Sequence, residues 1–151
     1  MASEQHLFLH PDHLPATTHS YLLRSAESLS EAVAAADVAE RYACAHVAAL
    51  RAAAALLAAR ARPAPARRRQ QKNAWVLLAE VAPELGEWAS FFAAGAAKRA
   101  AAESGSTRAV SEREADDLVR DADRFLAVVE QALGLTPHAP VGDQLVRCAA
   151  G

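Results

Sequence analysis

At 151 residues, 52% of them hydrophobic and with a net charge of −2, the chain fits one domain able to bury most of its apolar surface, and its charge exerts no global pull on nucleic acid. Alanine supplies about a quarter of the residues, isoleucine is absent and aromatics are few, a composition that points to helices and away from a sheet. Cys44 and Cys148 are over a hundred residues apart, which excludes a disulfide or zinc framework and reads as reduced thiols of a cytoplasmic protein.

The first six residues carry no basic stretch and no apolar run follows, so no secretion signal is read. Residues 47–59 are apolar but short and interrupted by Arg51, which suits a bundle helix better than a membrane span. There is no Gly-rich phosphate loop, Gly-x-Ser-x-Gly elbow, Cys-x-x-Cys or His-Glu-x-x-His. P-loop, hydrolase and zinc-protease chemistry is thereby removed, and no cofactor is called for.

Residues 1–16 read as an N-terminal leader. His6, His10 and His13, with His19 nearby, could gather on a metal, but no cysteine or acidic cluster accompanies them. A mobile leader docking through Leu7, Phe8 and Leu9 is the simpler account, and no metal is assigned. From Thr17 or Thr18 a first helix runs to about Ala36, with Leu22, Ala26, Leu29 and Val33 as its packing stripe. Asp37 ends that helix and caps the next, and so short a link forces the two into contact. The second helix, 37–62, opens with Asp37 accepting from a first-turn amide and Glu40 reaching back to the cap. Nothing breaks it before Pro63, and Val38, Tyr42, Ala45, Ala49, Ala53 and Leu56 recur along one face.

Residues 61–72 are a basic linker. No acidic residue lies between Glu40 and Glu80, yet half of the chain's lysines and arginines do. Arg60, Arg62, Arg67, Arg68, Arg69 and Lys72 could follow a phosphate backbone, releasing counterions as they bind. The alternative is a solvated connector, since no aromatic is interleaved to stack on bases. A third helical region spans 73–102, with Trp75, Leu78, Ala82, Leu85, Ala89 and Phe92 on its stripe, broadened by Trp88 and Phe91. Pro83 predicts a kink or break near Val81, because proline cannot donate to the carbonyl four residues back.

A loop at 103–107 precedes Ser111 and Glu114, spaced as a capping box. The fourth helix then carries Ala115, Leu118, Ala122, Phe125, Val129 and Leu133 inward, with Gly134 as its stop. Its outer face reads as Glu112, Glu114, Asp116, Asp117, Asp121 and Asp123 interleaved with Arg113, Arg120 and Arg124, a solvated ion-paired surface. Residues 135–151 form a C-terminal tail in which Leu145 and Val146 could pack. These elements predict an all-α protein, an antiparallel four-helix bundle over 17–134 with a Pro-kinked third helix and flexible termini. Its alanine faces suit both the interior and a self-association seam.

Two residues of the second helix are chemically out of place. Arg41 lies in the first turn, where the helix dipole disfavours a cation, and His46 continues a row with Leu50, Ala53 and Leu57 that should face another helix. Arg41-Tyr-Ala-Cys-Ala-His46 resembles the RxxxxH motif of the HEPN superfamily. Residues 41–57 are similar to the second helix of HEPN domains, in which a basic residue precedes an aromatic, a histidine, small residues and leucines. The likeness is to small actinobacterial-type HEPN proteins, and in general helical character it extends over 19–134. Catalytic members usually carry a polar residue after the arginine and often place the motif on a later helix; here Tyr42 follows it, on the second.

The resemblance implies a helical bundle and, in catalytic members, a metal-independent endoribonuclease acting as a homodimer. One His46 would take the 2′-hydroxyl proton, the other would protonate the leaving oxygen, and Arg41 would hold the crowded phosphate. Helix geometry sets Arg41 and His46 about 140° apart. They share a site only if the arginine stem wraps round or a second copy supplies the other group. Otherwise His46 is a core histidine bonded to a backbone carbonyl or a carboxylate, and Arg41 pairs with Asp37 or Glu40 at the surface. Two functions follow: an endoribonuclease cutting RNA at a dimer seam, or a non-catalytic helical adaptor or dimerisation module binding RNA or an antitoxin-like protein partner. An open groove holding both side chains favours the first, and burial of His46 favours the second.

Overall fold

The computed structural model describes residues 13–60, 73–105 and 110–141, and the described residues form helices and connecting turns with no strand. α1 (Ala16–Ala34) and α2 (Val38–Arg60) make a hairpin. A broken third arm follows as α3 (Ala74–Val81), a 3-10 turn (Pro83–Leu85), α4 (Gly86–Ala94) and α5 (Ala96–Glu103), and α6 (Glu112–Ala132) closes the bundle. α2 is the central element, packed on α1, α6, α5 and α3. It is long and apolar enough to cross a membrane by length and composition alone, and half of that stretch is buried inside the bundle.

Tyr42, Ala45, Ala49, Ala53 and Leu56 are buried along α2 as expected, and so are Ala48, Ala52 and Ala55. Glu40 N–H donates to Asp37 Oδ2 at 3.0 Å, which is the predicted cap. The face that α1 turns towards these alanines differs from the predicted stripe. Ala26 is exposed and Leu22 and Val33 are half-buried, whereas Thr18, Ser25, Ser28, Leu29 and Ala32 are buried. Small hydroxyl residues win these positions because alanines let the axes approach too closely for larger side chains, and each hydroxyl finds a partner on the neighbour: a carbonyl for Thr18 and Ser25, and the Arg51 guanidinium, which donates to Ser28 Oγ at 2.7 Å. Thr18 Oγ1 donates to the Ala55 carbonyl at 3.0 Å and Ser25 Oγ to the Ala48 carbonyl at 2.7 Å. The numbers rise along α1 as they fall along α2, the signature of an antiparallel pair.

Pro83 breaks the third arm where expected. Ala82 leaves the helix at φ −130°, ψ 75°, since a residue before proline is pushed out of the α region. A second interruption at Gly95 was not expected, so three short helices replace one kinked rod. Trp75, Leu78, Ala82, Leu85, Ala89 and Phe92 are all buried. Phe92 sits at their centre, with ring centroids 5.1 Å from both Trp75 and Phe125. Phe91 departs from expectation and stands 48% exposed.

α6 opens on the reciprocal Ser111–Glu114 capping box, and every predicted stripe residue on it is buried. It ends where Gly134 takes φ 78°, a left-handed conformation suited to glycine. Leu135 N–H then donates to the Glu130 carbonyl at 2.9 Å and Gly134 N–H to the Gln131 carbonyl at 3.0 Å, closing a Schellman motif. Leu14 on one side, and Leu135 and Val141 on the other, pack on the core. His6, His10, Leu7, Phe8, Leu9, Thr107, Leu145, Val146 and Cys148 lie outside the described residues.

Candidate functional site

His46 sits where α2 passes α4, and it is 1% exposed. Its Nε2 lies 2.9 Å from the Phe92 carbonyl, and a carbonyl only accepts, so Nε2 carries the hydrogen. Trp75 and Phe92 stand edge-on to the imidazole with centroids at 6.1 Å. Burial pushes the His46 pKa below the usual range; the Phe92 carbonyl opposes that and the Arg99 charge adds to it. The ring is therefore a neutral core histidine held by a backbone carbonyl. Its Nδ1 has no hydrogen-bond partner among the described residues.

Arg41 is directed elsewhere. Nη1 donates to Asp116 Oδ1 at 2.6 Å, and Nε and Nη2 donate to the Ala35 carbonyl at 3.3 and 3.0 Å. The fork thus ties the end of α1 to the start of α6 and satisfies a carbonyl that the helix end leaves open. It pairs with neither Asp37 nor Glu40, the partners expected from sequence, and its side chain is 13% exposed. Arg41→Ala is expected to lower stability by about 2 kcal/mol in urea denaturation. A double-mutant cycle with Asp116→Ala should return a coupling of about 1 kcal/mol.

Arg60 is also engaged within the bundle: Nη1 donates to Glu84 Oε1 at 2.5 Å and Nη2 to the Ala132 carbonyl at 3.3 Å. Arg62, Arg67, Arg68, Arg69 and Lys72 lie outside the described residues. No three His, Cys, Asp or Glu side chains are grouped to hold a metal ion among the described residues.

Two recesses border His46. The larger, about 430 Å³, is lined by Tyr42, Phe91, Gly95, Lys98 and, from α6, Glu114, Asp117, Leu118 and Asp121. The smaller, about 360 Å³, lies on the Leu50 side with Asn73, Trp75 and Arg99. Arg41 lines neither. Gly95 lets the third arm cross closely over α2, because a Cβ there would come 3.2 Å from the Tyr42 hydroxyl and 3.5 Å from His46 Cδ2. On the rim of the larger recess Lys98 bonds Glu114. Asp117 and Asp121 reach the arginines of their own helix, Arg120 and Arg124, only at 3.4 and 3.9 Å. Burial pushes the Asp121 carboxyl up.

A family model described as SAV_6107-like HEPN matches residues 32–130. The chain belongs to this HEPN family. No curated protein and no solved structure matches it. The matched span of the HEPN chain runs from the end of α1 almost to the end of α6, so it contains Arg41, His46 and both recesses.

One cluster of this HEPN bundle escaped the sequence reading. Asp123, expected on the outer face, is 5% exposed. It accepts from His138 Nε2 at 2.5 Å and from Val141 N–H at 3.0 Å, while His138 Nδ1 lies 2.5 Å from Glu130 Oε1. Periodicity held the signal: Asp123 is four residues after Val119 and three before Leu126, both buried.

Proposed function

We propose that this HEPN domain is a non-catalytic binding module that engages a partner through its larger recess and does not cleave RNA. The observation that carries the reading is the commitment of His46, whose Nε2–H is spent on the Phe92 carbonyl and whose ring is enclosed. A general base or acid must come within hydrogen-bond reach of the proton it moves. The groups that enclose His46, Trp75 and Phe92, belong to its own chain, so docking of a second copy leaves them in place. Arg41 is engaged with Asp116 and Ala35, which leaves its fork unavailable to a phosphate without breaking that tie. Of the partners the sequence suggests, a protein suits the recess better than RNA, because Glu114, Asp117 and Asp121 at its rim repel phosphate.

The test is incubation of purified protein with mixed-sequence RNA in excess chelator. Wild type, His46→Ala and Arg41→Ala are all expected to leave the RNA whole, even at high protein concentration. Metal-free cleavage by wild type that both variants lose while still folded by circular dichroism would overturn the reading.

A further inference from the structure

We infer that the larger recess receives a basic side chain flanked by an apolar one, presented by a protein partner. The inference rests on the binding-module reading and adds the chemistry of the partner. The apolar half is set by Phe91. Among the described residues the large hydrophobics that stand exposed are Leu23, Val76 and Phe91, and Phe91 is the aromatic one and the one that lines a recess. Its ring, with Leu118 behind, offers the kind of aromatic surface on which a partner side chain anchors. At about 430 Å³ the space is near the small end of ligand pockets, roughly 300–1,000 Å³, and holds side chains rather than a folded element.

The basic half is set by charge. The lining brings three carboxylates, Glu114, Asp117 and Asp121, against the single cation Lys98. Asp117 and Asp121 are held only loosely by Arg120 and Arg124, whose side chains are themselves exposed, and such pairs exchange readily. Asp121 is also partly buried, and burial already disfavours its charge, so a cation brought beside it gains more than one at an open surface. The face of Phe91 adds a cation–π contact for a guanidinium. Lys98, bonded to Glu114, then acts as the resident cation with which an incoming one competes.

The experiment is an amide NMR titration of the full chain with acetyl-Leu-Arg-Leu amide, its citrulline twin and its glutamate twin. The arginine peptide is expected to move the Gly95 and Leu118 amides saturably, the citrulline peptide about five-fold more weakly, and the glutamate peptide not at all. Phe91→Ser, at an exposed position, and Asp121→Asn, an isosteric change at a partly buried one, should each weaken the arginine peptide by about five-fold. Lys98→Gln should tighten it by about two-fold, since Glu114 is then released.

Equal shifts from the three peptides, no saturable shift, or weaker binding by Lys98→Gln would overturn the inference. So would movement of the same amides on simple concentration of the protein, which assigns the recess to a second copy, or on addition of an oligouridine, which assigns it to RNA. Peptide binding that fails while RNA stays whole removes this inference alone; RNA cleavage removes the reading beneath it.

Discussion

Phe92→Ala is expected to lose about 4 kcal/mol of stability, a large part of the roughly 5–15 kcal/mol that holds a domain of this size. Phe92 is fully buried and touches the rings of Trp75, Trp88, Phe91 and Phe125, so truncation opens a void among aromatic side chains of α3, α4 and α6. An alanine-rich bundle has few large side chains able to collapse into that void, which places the cost towards the upper part of the usual range. Thermal or urea denaturation measures it. The adjacent Phe91→Ala is the control: its ring is half in solvent, and the change is expected to stay within about 0.5 kcal/mol. Similar losses at the two positions would mean that the described packing of the third arm is wrong.

His138→Leu is expected to cost about 3 kcal/mol, because it leaves the buried Asp123 carboxylate without its charged partner. Both ring nitrogens of His138 face carboxylate oxygens at 2.5 Å, a geometry in which the doubly protonated imidazolium donates to both. Burial opposes that charge, but the hydrogen bonds His138 donates to Glu130 and Asp123, with their negative charges, outweigh it, and the His138 pKa is raised above 6.5. A raised histidine pKa means a contribution fully present below the unfolded value and lost as pH rises through the folded one. Wild type should therefore lose stability on going from about pH 6 to about pH 9, and His138→Gln should lose less over the same window. Parallel profiles for the two proteins would show that His138 is not the group responsible.

His46 works in the opposite sense. Its pKa is lowered, so its contribution is present above the unfolded value near 6.5 and is lost as pH falls through the folded value. One histidine favours the fold on the acid side of that point and the other on the alkaline side, and the two slopes are separable by substitution at each.

The HEPN likeness rested on Arg41 and His46 and was right about the family, while geometry gives both residues structural partners. A motif records which side chains occur and at what spacing on one helix, and it is silent on what lies across from them. The Phe92 carbonyl that takes His46 is 46 residues away, and the Asp116 that takes Arg41 is 75 away.

What the chain specifies locally was readable from it. The caps at Asp37 and Ser111, the break at Pro83, the left-handed stop at Gly134 and the inward stripes of the third arm and α6 all involve residues within one or two helical turns of each other. Contacts between helices were decided only in three dimensions. Ser25 rather than Ala26 faces inward because Ala48 leaves room and offers a carbonyl, Asp123 is buried because His138 folds back to meet it, and Phe91 is left at a recess shared with Lys98 and the carboxylates of α6. Polar burial of this kind depends on a partner being present, and the partner's position is a property of the packed fold and not of the local sequence.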